Sequence, residues 1–260
     1  MNDGTLLAVE RQRIILDILR REGVVRSAEL RELLNVSLVT IRNDLRELER
    51  AGECEIIWGG AVSKQPATEA EVKLDQRGQI HRKEKQRIGA KAAELVEAGQ
   101  TIIVDAGTTT IEFINSLPRD LEYLRVVTPA LNVAVATSHF PNVELFMPGG
   151  VMRNLTRSLI GPQTLRSLEM FNADWAFLAT GGFSLERGVT TSNILEVEVK
   201  RTIVRQAARV ALLADSSKFG RILSLTVAPI EEIDVVITDT HLRVEDADAL
   251  RALGIEVWCV

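Results

Sequence analysis

Apolar residues recur at helical spacing three times in the first 62 positions of the chain. Ile15, Ile18 and Leu19 mark one face of a first helix, which Gly23 is expected to end. Ser27 is placed to cap a second, short helix with Leu30, Leu33 and Leu34 turned inward. After a tight turn at Asn35-Val36, Ser37 caps a third helix on which Ile41, Leu45 and Leu48 stack at i, i+4 and i+7. Two short helices joined by a few residues make a helix-turn-helix. Gly52 stops the third helix, "CEIIW" has strand composition, and Gly59-Gly60 suits a hairpin turn, so a short wing is expected next.

Residues 63–80, "SKQPATEAEVKLDQRGQI", carry one proline and no apolar period, and read as a linker or as a helix docked only by its partners. From residue 81 to 260 the pattern changes. "TIIVD", "RVVT", "VELFM", "WAFLA", "VALLA", "DVVIT" and "IEVWCV" read as strands, with helical stretches between many of them, one keeping Ile88, Ala92 and Leu95 in register. This alternation predicts an α/β domain with a mostly parallel sheet, whose ligand belongs at the carboxyl ends of the strands.

Composition narrows the class. A 46% hydrophobic and 26% charged chain is an ordinary globular one. No run reaches the ~18 apolar residues of a membrane span, and "MNDGTLLAVERQR" lacks the features of a secretion signal. Cys54 and Cys259 offer neither a disulfide framework nor a metal spacing. The expectation is a cytoplasmic protein without cofactor or metal. Its net charge is −5, and the first 62 residues hold nine Arg, no Lys and eleven acidic residues, a formal −2. That balance does not advertise a nucleic-acid partner.

The candidate chemistry lies on one helix face and in three loops. At ~100° per residue, Val39, Arg42, Asn43 and Arg46 point away from the core of the third helix. Such a face suits a major groove, with Asn for adenine, Arg for guanine or phosphate, and Val for a thymine methyl. A solvated face in a small bundle has the same wheel, and geometry alone leaves the two level. "DAGTTT", Asp105 to Thr110, leaves a strand and opens a helix, so Gly107 and the threonine hydroxyls could meet an anion; a plain threonine-capped turn has the same residues. "ADSSKFG" repeats the logic with Lys218, as an anion loop or a surface loop. "ATGGFSLERGVTTSN" leads into a helix whose Glu196 and Lys200 have the i, i+4 spacing of an ordinary helix ion pair.

The stretch "RQRIILDILRREGVVRSAELRELLNVSLVTIRNDLRELERAGECEIIWGGA" resembles the head of DeoR-family transcriptional repressors, through "EL…L.VS..TIR.DL..LE..G" and the closing "GGA". The resemblance continues through "GTTT", "PGGVMR", "GVTTSNILEVEVKR", "ADSSKFGR" and "ITD", and so covers nearly the whole chain. It implies a winged helix-turn-helix over 1–62 that contacts double-stranded operator DNA through Ser37, Val39, Thr40, Arg42, Asn43 and Arg46. For 81–260 it implies an effector-binding and oligomerisation domain related in fold to ribose-5-phosphate isomerase. That domain binds phosphorylated sugars that release the repressor. Carried over by position, Gly107, Thr108, Thr109 and Thr110 hold phosphate beside Asp105, and Arg153, Gly181, Gly182, Glu196, Lys200, Asp215 and Lys218 line the remaining pocket. The chain departs from the family at Ile56 and Trp58, where the wing usually carries arginine and histidine, and at Asn43, which replaces a common second arginine. It departs again at Pro129-Ala130, where Asn-Ser is usual; proline has no N–H and alanine no hydroxyl.

Three functions compete. A repressor of sugar-metabolism genes needs the helix face and the anion loops together, and few uncompensated cations on one head call for two heads in an oligomer, a dimer or tetramer. A sugar-phosphate isomerase with an appended head needs an acid-base pair. Asp105, Glu196 and Asp215 are its acidic candidates, His81, His139 and His241 fall at linker, helix-end and loop positions, and no "DGADE"-like loop is present, "PGGVMR" being nearest. The expectation is therefore no enzyme. A protein-interaction module whose helix-turn-helix has lost DNA binding is the third reading, which the wing changes and the acidic balance would allow.

Overall fold

The computed structural model describes residues 8–22, 24–57, 59–63 and 74–260, and the chain forms two units, Met1–Gln76 and Arg77–Val260. In the first, helices α1 (Ala8–Glu22), α2 (Ser27–Leu34) and α3 (Leu38–Arg50) surround a small core of Ile15, Leu19, Leu30, Leu34, Ile41, Leu45 and Leu48. Asn35 takes a left-handed conformation (φ 50°) that closes α2, and the Ser37 hydroxyl accepts the Thr40 N–H (3.1 Å) to open α3. Strands β2 (Cys54–Ile57) and β3 (Gly60–Ser63) form the expected wing hairpin. A further strand, β1 (Val24–Arg26), pairs with β3 and makes the sheet three-stranded. Three residues are too few to register as an alternating pattern in sequence.

Two local expectations are corrected. Arg26, not Ser27, occupies the cap of α2, and no side chain caps it; Ser27 is instead buried at the first helical position. Leu33 is 65% exposed, because Leu30 and Leu34, four apart, already define the inward face of this two-turn helix. Gly23 and Trp58, expected to end α1 and to sit in the wing, lie outside the described residues.

The second unit opens with α4 (Leu74–Gln79), which begins before the unit boundary and occupies part of the stretch expected as linker. There follow α5 (Arg82–Ala93), β4 (Thr101–Val104), α6 (Thr108–Asn115), β5 (Leu124–Val127), α7 (Leu131–Thr137) and β6 (Val143–Phe146). A hairpin of β7 (Val151–Arg153) and β8 (Ser158–Ile160), helix α8 (Pro162–Leu168) and strand β9 (Ala173–Ala179) come next. Strands β10 (Gly182–Ser184) and β11 (Gly188–Thr191), helix α9 (Ile194–Arg205), and strands β12 (Ala207–Leu213), β13 (Leu225–Ala228) and β14 (Val235–Thr238) lead to α10 (Val244–Ala252) and β15 (Glu256–Cys259).

The seven segments read as strands form one sheet, in the order β15-β14-β12-β9-β4-β5-β6, and every neighbouring pair is parallel. Alternate side chains of each strand enter separate cores. Ile102 and Val104 pack with Phe177, Phe113 and α5 on one face, while Ile103 packs with Leu178, Leu212 and α9 on the other. Burial on both faces is why these strands are almost continuously apolar. The chain winds outward from β4 through β5 to β6, returns to β9 beside β4, then winds the other way. The carboxyl ends of β4 and β9 therefore flank the point where strand order reverses, the usual crevice for a ligand in such sheets.

Candidate functional site

On α3 the outward positions behave as the wheel implies: Val39 is 65% exposed, and Arg42, Asn43 and Arg46 are exposed beside it. Ser37 and Thr40 differ in role from their neighbours. Their hydroxyls bond one another (2.8 Å) in the cap, so they shape the start of the helix. Asp44, on the opposite side, is 4% exposed and takes a two-pronged contact from Arg11 of α1, Nε to Oδ2 at 2.9 Å and Nη2 to Oδ1 at 3.1 Å. That carboxylate holds the Arg11 guanidinium above its ordinary pKa range. Glu49 accepts the Ile56 N–H (2.8 Å), tying α3 to the wing, where the Ile56 side chain is exposed.

In the second unit the loops after β4, β9 and β12 converge at the reversal point. Gly107 precedes α6, where a Cβ would lie 2.4 Å from the Ala179 Cβ, so only glycine fits. Thr110 is fully buried and donates to the Asp105 and Gly107 carbonyls (2.8 and 3.1 Å), which fixes the turn. Thr108 and Thr109 instead line a cleft of about 390 Å³, open to solvent, together with Arg77, Lys85, Asp215 and Lys218. Asp105 is buried beneath it. Its Oδ2 accepts the Ala179 N–H (3.1 Å) and the Lys200 ammonium, which also donates to the Ala179 carbonyl (2.8 Å). Burial pushes the Asp105 carboxyl above its usual range, against the pull of Lys200.

The expected Glu196–Lys200 helix pair is absent. Lys200 is turned to Asp105, while Glu196 accepts from Arg153 (3.2 Å) and from the Thr156 hydroxyl (2.7 Å). These pairings span strands that sequence spacing does not relate. Gly181 and Gly182 pack closely, a Cβ lying 2.6 Å from the Leu223 Cδ1 and 2.3 Å from the Arg221 carbonyl oxygen respectively. Pro129-Ala130 is also a packing element: the Pro129 carbonyl accepts the Leu159 N–H (2.8 Å), and the Ala130 N–H donates to the Thr128 hydroxyl (3.1 Å). Of the twelve residues assigned by resemblance to the effector, Thr108, Thr109, Asp215 and Lys218 line the cleft itself.

Electrostatics in the cleft are uneven. Burial works against the Asp215 carboxylate, but Lys218, the Ser217 hydroxyl, Lys85 and His81 together hold its pKa below the ordinary value. Burial lowers Lys218, opposed by Asp215 and reinforced by Arg77 and Arg221. Burial likewise lowers Arg77, and pushes Lys85 down to about 8. Lys85 is 5% exposed and donates to the Arg77 and Ile80 carbonyls, both at 2.6 Å. Asp239, after β14, accepts the Ser216 N–H (2.7 Å) and hydroxyl (2.9 Å), which holds the Lys218 loop in place. Arg77 and Lys85 carry no motif that singles them out in sequence, and Asp239 is the last residue of "ITD", a stretch that by itself assigns it no role. Among the described residues no group of His, Cys, Asp and Glu could hold a metal, and no helix is long and apolar enough to cross a membrane.

Residues 11–67 match the DeoR-like helix-turn-helix domain, and residues 80–240 match the DeoR C terminal sensor domain. The chain belongs to the DeoR family. DeoR-type relatives include the HTH-type transcriptional regulator GlpR of Haloferax volcanii, 35% identical over 254 residues that cover 97% of this chain and 98% of the relative. Another is a protein of Escherichia coli O157:H7 provisionally named aga operon transcriptional repressor, 34% identical over 254 residues, 96% and 93% of the two chains. These DeoR-family relatives are transcriptional regulators, and this chain is a DNA-binding transcriptional regulator of the same kind, with a helix-turn-helix and an effector-sensing domain. Among solved structures, ribose 5-phosphate isomerase A from Neisseria gonorrhoeae aligns over 52% of each chain at 13% identity and a TM-score of 0.39, too loose a likeness to bear on chemistry.

Proposed function

We propose that this DeoR-family regulator represses sugar-metabolism genes in the cytoplasm and leaves its operator when a phosphorylated sugar occupies the cleft at the β4–β9 reversal point. Residues 1–62 read DNA through Val39, Arg42, Asn43 and Arg46, with Ser37 and Thr40 shaping the helix start. Residues 63–80 connect, and residues 81–260 sense the effector and assemble the oligomer. The observation that carries the reading is the cleft, where Lys218 and Arg77 face Thr108 and Thr109 at the amino end of α6. Cations, hydroxyls and a helix amino terminus together suit a phosphate. Asp215, which lines the cleft, supplies a hydrogen-bonding group suited to a sugar hydroxyl, whereas Glu196 and Arg153, paired with each other, stand outside its lining. A head with a formal charge of −2 binds weakly alone, so two heads spaced by one helical turn, ~34 Å, are needed.

The test is a panel of phosphorylated and free sugars, read by melting temperature and by release of operator DNA. One phosphorylated sugar should raise the melting temperature and displace DNA, while its unphosphorylated counterpart does neither. Stabilisation by free sugars alone, or turnover of any sugar phosphate, would overturn the proposal.

A further inference from the structure

Arg77 belongs to none of the sequence motifs, yet its side chain lines the cleft with Lys218. Neither the Arg77 guanidinium nor the Lys218 ammonium makes a side-chain hydrogen bond or ion pair among the described residues. Two partly buried cations with no hydrogen-bonded protein partner, sharing one cleft with the single carboxylate of Asp215, gain from a second anion that joins them. The cost shows in both groups: burial lowers the proton affinity of each, and Arg77 lowers that of Lys218 further. The backbone behind Arg77 is meanwhile anchored: buried Lys85 grips the Arg77 and Ile80 carbonyls. The fields of Glu196, Asp215 and Asp105 favour a guanidinium at this position.

We infer that Arg77 is a ligand of the effector's phosphate, opposite Lys218, and that this contact is what links the cleft to the segment leading out of the DNA-reading head. The inference rests on the proposed phosphate-binding role of the cleft. A guanidinium fork matches phosphate oxygens two at a time, which Lys218 cannot do. Arg77 stands on α4, the last element of the connecting stretch, so a phosphate bridging Arg77 and Lys218 binds more tightly when α4 is docked against the sensor. That differential affinity is what a ligand needs to shift an equilibrium. Asp215 stays ionised beside the cations, and its field favours the charged form of both Lys218 and Arg77 without a hydrogen bond to either.

The experiment uses the full chain with inorganic phosphate as the probe, measuring affinity by calorimetry and amide hydrogen exchange by mass spectrometry. Phosphate should bind the parent chain and slow exchange in residues 77–81. Arg77→Ala should weaken phosphate by about tenfold or more and lose that protection, Arg77→Lys should recover part of the affinity, and the phosphate-free melting temperatures should agree. If Lys218→Ala loses phosphate while Arg77→Ala binds like the parent, the inference fails and the cleft reading survives. If Arg77→Ala loses phosphate but the parent shows no protection at residues 77–81, the link to the connecting segment fails. If phosphate does not bind the parent at all, both the inference and the cleft reading fall.

Discussion

The Arg11–Asp44 contact decides how α3 is held. Both side chains are at most a tenth exposed, and their two parallel hydrogen bonds cross 33 residues of sequence. Removing one partner of such a buried pair forfeits both charge-assisted hydrogen bonds at once, which costs about 3 kcal/mol or more. Asp44→Ala is therefore expected to destabilise the head by about 3 kcal/mol, measured by urea unfolding, while the sensor's melting temperature stays in place. Arg42 faces outward from the same helix and has no such structural duty. Arg42→Ala should leave unfolding unchanged and weaken operator binding by about 1–3 kcal/mol, read by titration of labelled DNA. Equal affinity for parent and variant would remove α3 from the DNA interface.

Lys85 illustrates how one helix positions another. It lies in α5, and its ammonium holds the carbonyls at the carboxyl end of α4, beside the cleft. Burial depresses its pKa to about 8, against about 10.4 in the unfolded chain. Between these values the unfolded state binds more protons, so raising the pH favours the folded state. The burial cost is present in full below about pH 8 and is relieved as pH rises towards 10.5. The stability difference between the parent and Lys85→Met should thus move in the parent's favour from pH 8 to pH 10, measured by denaturant titration. A difference that stays flat over that window would show that the amine is not desolvated. The loops after β4 and β12 are held by comparable devices, Thr110 on the first and Asp239 on the second, so the cleft walls rest on hydrogen bonds that no ligand has to form.

For the assembled protein, charge sets the terms of DNA binding. Each head carries nine arginines against eleven carboxylates, and two of those groups, Arg11 and Asp44, are committed to each other inside the fold. Few cations remain to displace counterions, so the dependence of affinity on salt should be shallow for one head. The expected outcome is that a fragment covering residues 1–63 binds operator at least about a hundredfold more weakly than the full chain, with the full chain a dimer or larger by light scattering. A monomeric full chain that binds as tightly as any oligomer would contradict the requirement for two heads.

Much of this architecture was legible in the order of residue types. The seven apolar runs are the seven strands of the sheet, because a parallel sheet covered on both faces demands near-continuous Val, Ile and Leu. Periodicity also determined the outward face of α3, since one helix repeats every 3.6 residues whatever surrounds it. What periodicity could not carry was anything set by distant parts of the chain. Strand β1 forms only because β3 lies beside it, Lys200 prefers Asp105, 95 positions away, over Glu196 on its own helix, and Arg77 enters the cleft from a stretch that reads as linker. Local spacing dictates which face of an element is apolar. Which charges meet across elements is decided by the winding of the sheet, which brings the ends of β4, β9 and β12 to one place.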